Sequence, residues 1–134
     1  MKNAITLLLL TIALNHTVLS QSSSDKQLVF STCLQLIQEE LPELQQHSLL
    51  QSNQPQGVFT DQQQVGNWTV NIYTKNKSDH LPTLDFYIYE VKENKARLDF
   101  TVYGEDQNPI RWYYMEFQKE AEEWNLTNIK TKSI

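Results

Sequence analysis

Cys33 is the only cysteine in the chain, and His47 and His80 are the only histidines beyond the first twenty residues. These few groups bound the chemistry available. A thiol nucleophile would join Cys33 to His80 and a carboxylate, since imidazole is what generates and holds a reactive thiolate. Cys33, however, lies inside an apolar helical stripe, followed by Leu34 and with no local glycine to expose it. That is the setting of a small buried hydrophobe. Asp79-His80, just before Leu81-Pro82, is a turn pair with acid–base potential, but no serine in a nucleophile-elbow setting accompanies it. Asp85, Asp99 and Glu116 fall on strand-like segments, where they would form either a cross-strand acid–base pair or ordinary solvated strand charges. Two distant histidines do not make zinc-ligand spacing, so neither a metal nor a cofactor is expected, and catalysis is not the favoured reading.

The elements that would position such groups begin after residue 20. Lys2, the apolar run of Leu7 to Leu10 with Ile12, Ala13 and Leu14, and the Val18-Leu19-Ser20 cut site read as a secretory signal peptide. Residues 21–134 are then one periplasmic or secreted domain. The apolar run falls short of the roughly 20 residues that span a bilayer, so no stable membrane insertion is expected. With Lys2 gone, ten basic residues face sixteen acidic ones, a net charge near -6. That balance argues against nucleic acid, which needs clustered Lys and Arg.

Ser24 with Gln27 makes a capping box, and Phe30, Cys33, Leu34, Ile37, Leu41 and Leu44 follow at helical spacing. Pro42 either ends this helix near Glu40 or restarts it. Residues 51–66 are Gln-rich and read as a long connection with at most one short strand at 58–60. Beyond it the period changes to two. Trp68, Val70 and Ile72, then Leu84, Phe86 and Ile88, then Leu98, Phe100 and Val102 each alternate with more polar residues. Two further strands, 110–119 and 124–132, flank the acidic turn at 120–123. The expected fold class is α+β: one N-terminal amphipathic helix packed on a curved antiparallel sheet of about five strands in meander order.

On that reading the sheet face away from the helix carries Tyr87, Tyr89, Tyr103, Tyr113 and Met115, with Arg111 beside them and Tyr73 at the margin. Tyr, Met and Arg are enriched at the centres of protein interfaces. Tyr87, Tyr89, Tyr103, Arg111 and Tyr113 are therefore the expected anchors for a partner.

The aromatic strand Trp112-Tyr113-Tyr114-Met115-Glu116-Phe117, its acidic turn and Trp124-Asn125-Leu126 resemble the closing hairpin of exported NTF2-like and cystatin-like rolls. The helix-then-meander order, and Gln62-Gln63-Gln64-Val65-Gly66 before Asn67-Trp68, are similar to the cystatin pattern. The resemblance implies a shared fold, a small exported roll; the small, acidic, single-domain character and the lack of cofactor motifs point to a protein that works by binding. A protein partner fits best, in the manner of an inhibitor or an immunity-type protein, with a homodimer as a further option for the same face. Carriage of a small apolar ligand in an NTF2-like cone and hydrolysis by Cys33 with His80 are the alternatives. Asn67-Trp68-Thr69, Asn76-Lys77-Ser78 and Asn125-Leu126-Thr127 also match the N-glycosylation acceptor pattern.

Overall fold

The computed structural model describes residues 24–57 and 62–134. The expected signal peptide and the strand expected at 58–60 lie outside the described residues. No helix among the described residues is long and apolar enough to cross a membrane.

Helix α1 covers 24–40. Val29, Phe30, Cys33, Leu34 and Ile37 recur at three- and four-residue spacing and are all buried, while Gln35 and Glu39 face water. One face thus belongs to the core. Ser24, expected to cap the helix, is itself helical. Pro42 sets the other end, because the residue before a proline is driven out of helical space, and Leu41 sits at φ -119° and ψ 82°. The chain restarts at once as a single turn, α2, Pro42–Gln45, with its proline in the first turn where a missing N–H is harmless. The Trp68 indole donates to the Leu44 carbonyl at 3.3 Å and ties α2 to the sheet.

Seven strands follow: β1 Leu49–Ser52, β2 Gln62–Val65, β3 Trp68–Ile72, β4 Thr83–Lys92, β5 Lys95–Tyr103, β6 Pro109–Glu120 and β7 Glu123–Ser133. They make one mixed sheet in the order β2-β3-β1-β4-β5-β6-β7. This corrects the expected five-stranded antiparallel meander. β4 to β7 do run as antiparallel neighbours, but β1 is inserted between β3 and β4 and is parallel to both.

β1 has no alternating signal, because only its first two residues, Leu49 and Leu50, are apolar. Gln51 and Ser52 are buried polar residues, and each is used. Gln51 Nε2 donates to the Ser78 carbonyl at 2.7 Å and the Thr83 hydroxyl at 2.8 Å, while its Oε1 accepts from the Ser78 amide at 2.8 Å. One side chain therefore fastens the 73–82 crossover that a parallel insertion requires. β2, made of glutamines up to Val65, lies in the stretch expected to be connection; it closes on β3 through Gly66, whose φ of +59° is left-handed space.

The core lies between α1 and one side of the sheet. An aromatic row crosses it: Phe30 faces Phe86 and Tyr89, Phe86 meets Phe100 with centroids 4.6 Å apart, and Phe100 stacks on Tyr113 at 5.2 Å. Each ring so buried contributes about 1.5–3 kcal/mol. Polar clamps fix the helix at both ends. Asp25 takes an ion pair from Lys119 at 3.0 Å and an indole N–H from Trp124 at 3.2 Å. At the other end the Tyr113 hydroxyl donates to Glu40 at 3.0 Å, with Arg111 at 3.9 Å from the same carboxylate.

Candidate functional site

The side of the sheet opposite α1 has no helix or second sheet over it among the described residues. Its composition is set by a bulge. β4 and β5 pair Phe86 with Phe100 and then Ile88 with Asp99, leaving Tyr87 as the extra residue. An extra residue in a period-two strand turns every later side chain over. Leu84 and Phe86 face the helix as alternation predicts, but after the bulge the inward positions are Tyr89 and Val91, and Ile88 is outward. Asn53 holds the irregularity in place. Its amide donates to the Phe86 carbonyl at 3.0 Å and accepts from the Phe86 N–H at 2.9 Å, supplying the ladder bonds that β1 stops short of making.

The register across β4 to β7 lays out the open face as rows. One runs Asp85, Thr101, Trp112, Lys132; the next Ile88, Asp99, Tyr114, Lys130; the next Glu90, Arg97, Glu116, Asn128. Tyr103, paired with Thr83, stands on the same side, and the Tyr87 and Tyr103 hydroxyls are 3.5 Å apart. Tyr73 follows β3 next to them, its phenol held above the ordinary tyrosine range first by burial and then by the Asp85 charge.

The rings are positioned through their polar atoms. The Trp112 indole donates to Asp99 at 2.7 Å, and the Tyr114 hydroxyl donates to Glu116 at 2.6 Å. That second bond, followed by partial burial, raises the Tyr114 hydroxyl above its ordinary range. Tyr103 is pushed up to about 12, first by its bond with Tyr87, then by burial and by Asp85. Ammonium groups lie over two of the ring faces, Lys77 at 5.3 Å from the Tyr103 centroid and Lys130 at 5.7 Å from that of Tyr114.

Of the five expected anchors, the structure brings only Tyr87 and Tyr103 together on this face. Tyr87 is 61 % exposed, whereas Tyr113 is wholly buried against the helix. Tyr89 packs on Phe30 and Phe86 and donates to the Lys26 carbonyl at 2.7 Å; Arg111 reaches Glu40. Burial raises both inward phenols, with Cys33 adding to the effect at Tyr89 and the Glu40 bond at Tyr113. The placement of Tyr89, Tyr113, Met115 and Arg111 on the outer face is therefore corrected: one bulge reverses β4, and β6 presents its other set. Trp112, Tyr114 and Ile88 were missed. In β6 the signal was available, since Glu116 and Gln118 share the phase of Trp112 and Tyr114 while Met115 and Phe117 share that of Tyr113.

The groups considered for catalysis are kept apart. Cys33 is sealed in the core, where burial drives its thiol far above the usual range, and His80 is exposed on the crossover. Asp85, Asp99 and Glu116 do share the open face, but each accepts from a different donor: Asn53, Trp112 and Tyr114. They orient two rings and an amide. A shallow groove of about 800 Å³ continues the face toward the β4–β5 turn, lined by polar residues including Glu90, Lys92, Arg97 and Gln118. No family model, curated protein or solved structure matches the chain.

Proposed function

We propose that this chain is an exported binding protein, an inhibitor or immunity-type protein that neutralises a partner protein in the periplasm or outside the cell through the open face of its sheet. One observation carries the reading. The same strands bury one set of rings under α1 and hold another set, Tyr87, Tyr103, Trp112 and Tyr114, outward with their polar atoms fixed by carboxylates or by each other. Preorganised aromatic anchors lose little side-chain entropy on association, which is what interface centres exploit. Phe30, Cys33, Leu34 and Ile37 of α1 are buried in the core over the sheet, which supports a contact surface on the open side over an apolar-ligand cone on the helix side.

The test is capture from the exported fraction by the immobilised protein, compared with Tyr87→Ala and Trp112→Ala variants. A protein retained by the wild type and lost by both variants, with their unfolding midpoints close to wild type, is the expected result. Equal retention by all three would remove the open face from the function.

A further inference from the structure

We infer that Asn67, Asn76 and Asn125 carry N-linked glycans. The inference rests on the reading of the chain as exported, and is independent of the open face as its contact surface. Eight asparagines lie among the described residues. These three alone are followed two residues on by a hydroxyl, at Thr69, Ser78 and Thr127, with Trp68, Lys77 and Leu126 between and no proline. Asn53, Asn71 and Asn108 instead spend their side chains on Asp85 and Phe86, on Gln62 and on Asp106. The three acceptors are exposed, and none of their side chains is hydrogen-bonded among the described residues.

Their places in the fold leave room for a large hydrophilic adduct. Asn67 lies in the turn between β2 and β3, Asn76 on the 73–82 crossover and Asn125 on β7. Trp124 is buried and Leu126 packs on the core, so Asn125 between them faces away from α1. β2 and β7 are the outer strands, which puts Asn67 and Asn125 at the two margins of the sheet. Asn125 is five residues along β7 from Lys130, the partner of Tyr114, roughly 16 Å at strand spacing. Only Asn76 comes close to the outward rings, since its neighbour Lys77 lies over Tyr103. A glycan on Asn125 also shields the outer edge of β7, 11 residues long, from pairing with another sheet.

Turn chemistry accounts for an asparagine beside Gly66 and for another on a crossover. It accounts for neither hydroxyl, nor for Asn125 within a strand, where asparagine is disfavoured. In the folded protein the Thr127 hydroxyl is already spent, donating to the Glu116 carbonyl at 3.2 Å. Transfer to Asn125 therefore belongs to the still unfolded chain, and the fold then has to leave the modified side chain outside. The Asn Nδ2 displaces the diphosphate from the anomeric carbon of a polyprenyl-diphosphate oligosaccharide bound by a membrane transferase. A C–N bond forms, the anomeric C–O bond breaks with its electron pair on the leaving diphosphate, and one amide proton is lost to base.

The experiment isolates the protein from its own source and compares intact mass and peptide masses before and after peptide-N-glycosidase, which cleaves the glycan from the amide nitrogen and leaves aspartate. The expected result is an exported protein lacking residues 1–20 and heavier than its polypeptide, with aspartate in place of Asn67, Asn76 and Asn125 after release and the other five described asparagines unchanged. Ser78→Ala and Thr127→Ala, which keep the asparagines, should each remove one glycan. The enzymatically released wild type should keep its urea midpoint, because no core contact involves these side chains. Exported protein of bare polypeptide mass would overturn the inference and leave the export reading standing, and a bare asparagine at any one site would overturn the assignment there. Recovery only from inside the cell, with residues 1–20 attached and no glycan, would overturn the export reading and this inference with it.

Discussion

The two faces of β4 to β7 are built from the same backbone and differ in what closes each row. Under α1 the rows read Phe86, Phe100, Tyr113 and Tyr89, Leu98, Met115: ring on ring, with polar atoms only where Lys26 and Glu40 of the helix receive them. On the open side each ring is placed against a carboxylate, a hydroxyl or an ammonium group. The lesson is that aromatic content does not say which side of a sheet is the core; the partner of each ring's polar atom does. Tyr113 and Tyr114 are neighbours in sequence and make opposite contributions, one to stability and one to a surface.

The comparison breaks most visibly on the helix side. Phe30→Ala and Tyr113→Ala should each cost about 3–5 kcal/mol, read as a fall in the urea midpoint at constant slope. The outer-face assignment of Tyr113 required unchanged unfolding on that substitution, so this single variant decides between the two placements. Asp25→Ala comes next. It strands the largely buried Lys119 ammonium and the Trp124 N–H, for about 2–4 kcal/mol, and Lys119→Met in the same chain should recover part of the loss because the orphaned charge is gone. A double variant no more stable than Asp25→Ala alone would show that the ion pair is not what fixes the start of α1.

Asn53→Ala tests the device that separates the faces. It leaves the Phe86 N–H and C=O without partners, for about 1–3 kcal/mol, and the Phe86 amide should exchange faster than its neighbours in hydrogen-exchange measurements. Unaltered protection at Phe86 would mean the bulge at Tyr87 stands without it.

Much of this architecture was legible in the residues. The period of α1, its interruption at Pro42 and the four antiparallel strands from β4 onward follow from spacing alone. β1 was not, because a four-residue strand whose last two side chains are Gln and Ser carries no alternation, and its parallel pairing depends on a hydrogen bond from Gln51 to a loop 27 residues away. The outer face was half legible. Strand β5 alternates without interruption and gives Tyr103 correctly. In β4, by contrast, the bulge at Tyr87 exchanges Ile88 and Tyr89, and nothing local distinguishes that extra residue until Asn53 is seen bonded to Phe86.

Alkaline pH gives a smaller effect on both faces. Tyr103 is raised to about 12 by its Tyr87 bond first, and Tyr89 and Tyr113 are raised by burial first. Because the folded protein holds these protons more tightly than the unfolded chain, the stabilisation is whole below about pH 10, and the share from Tyr103 is lost as pH rises through about 12. Stability should therefore decline steadily above pH 10. Tyr87→Phe should bring the Tyr103 transition back toward its ordinary range in a near-ultraviolet titration, and an unmoved transition would exclude their hydroxyl contact as its cause. Smallest of all is the stability cost of Tyr87→Ala, within about 0.5 kcal/mol for a side chain this exposed, although its effect on capture should be large.

Hydroxyl-radical footprinting of the protein alone and after incubation with the exported fraction tests the division of the two faces most directly. In the free protein, oxidation is expected at Tyr87, Tyr103, Trp112 and Tyr114 and not at Phe30, Phe100 or Tyr113, and the partner should protect the first group. Protection confined to the outer side of α1, with those four rings still oxidised, would contradict the account.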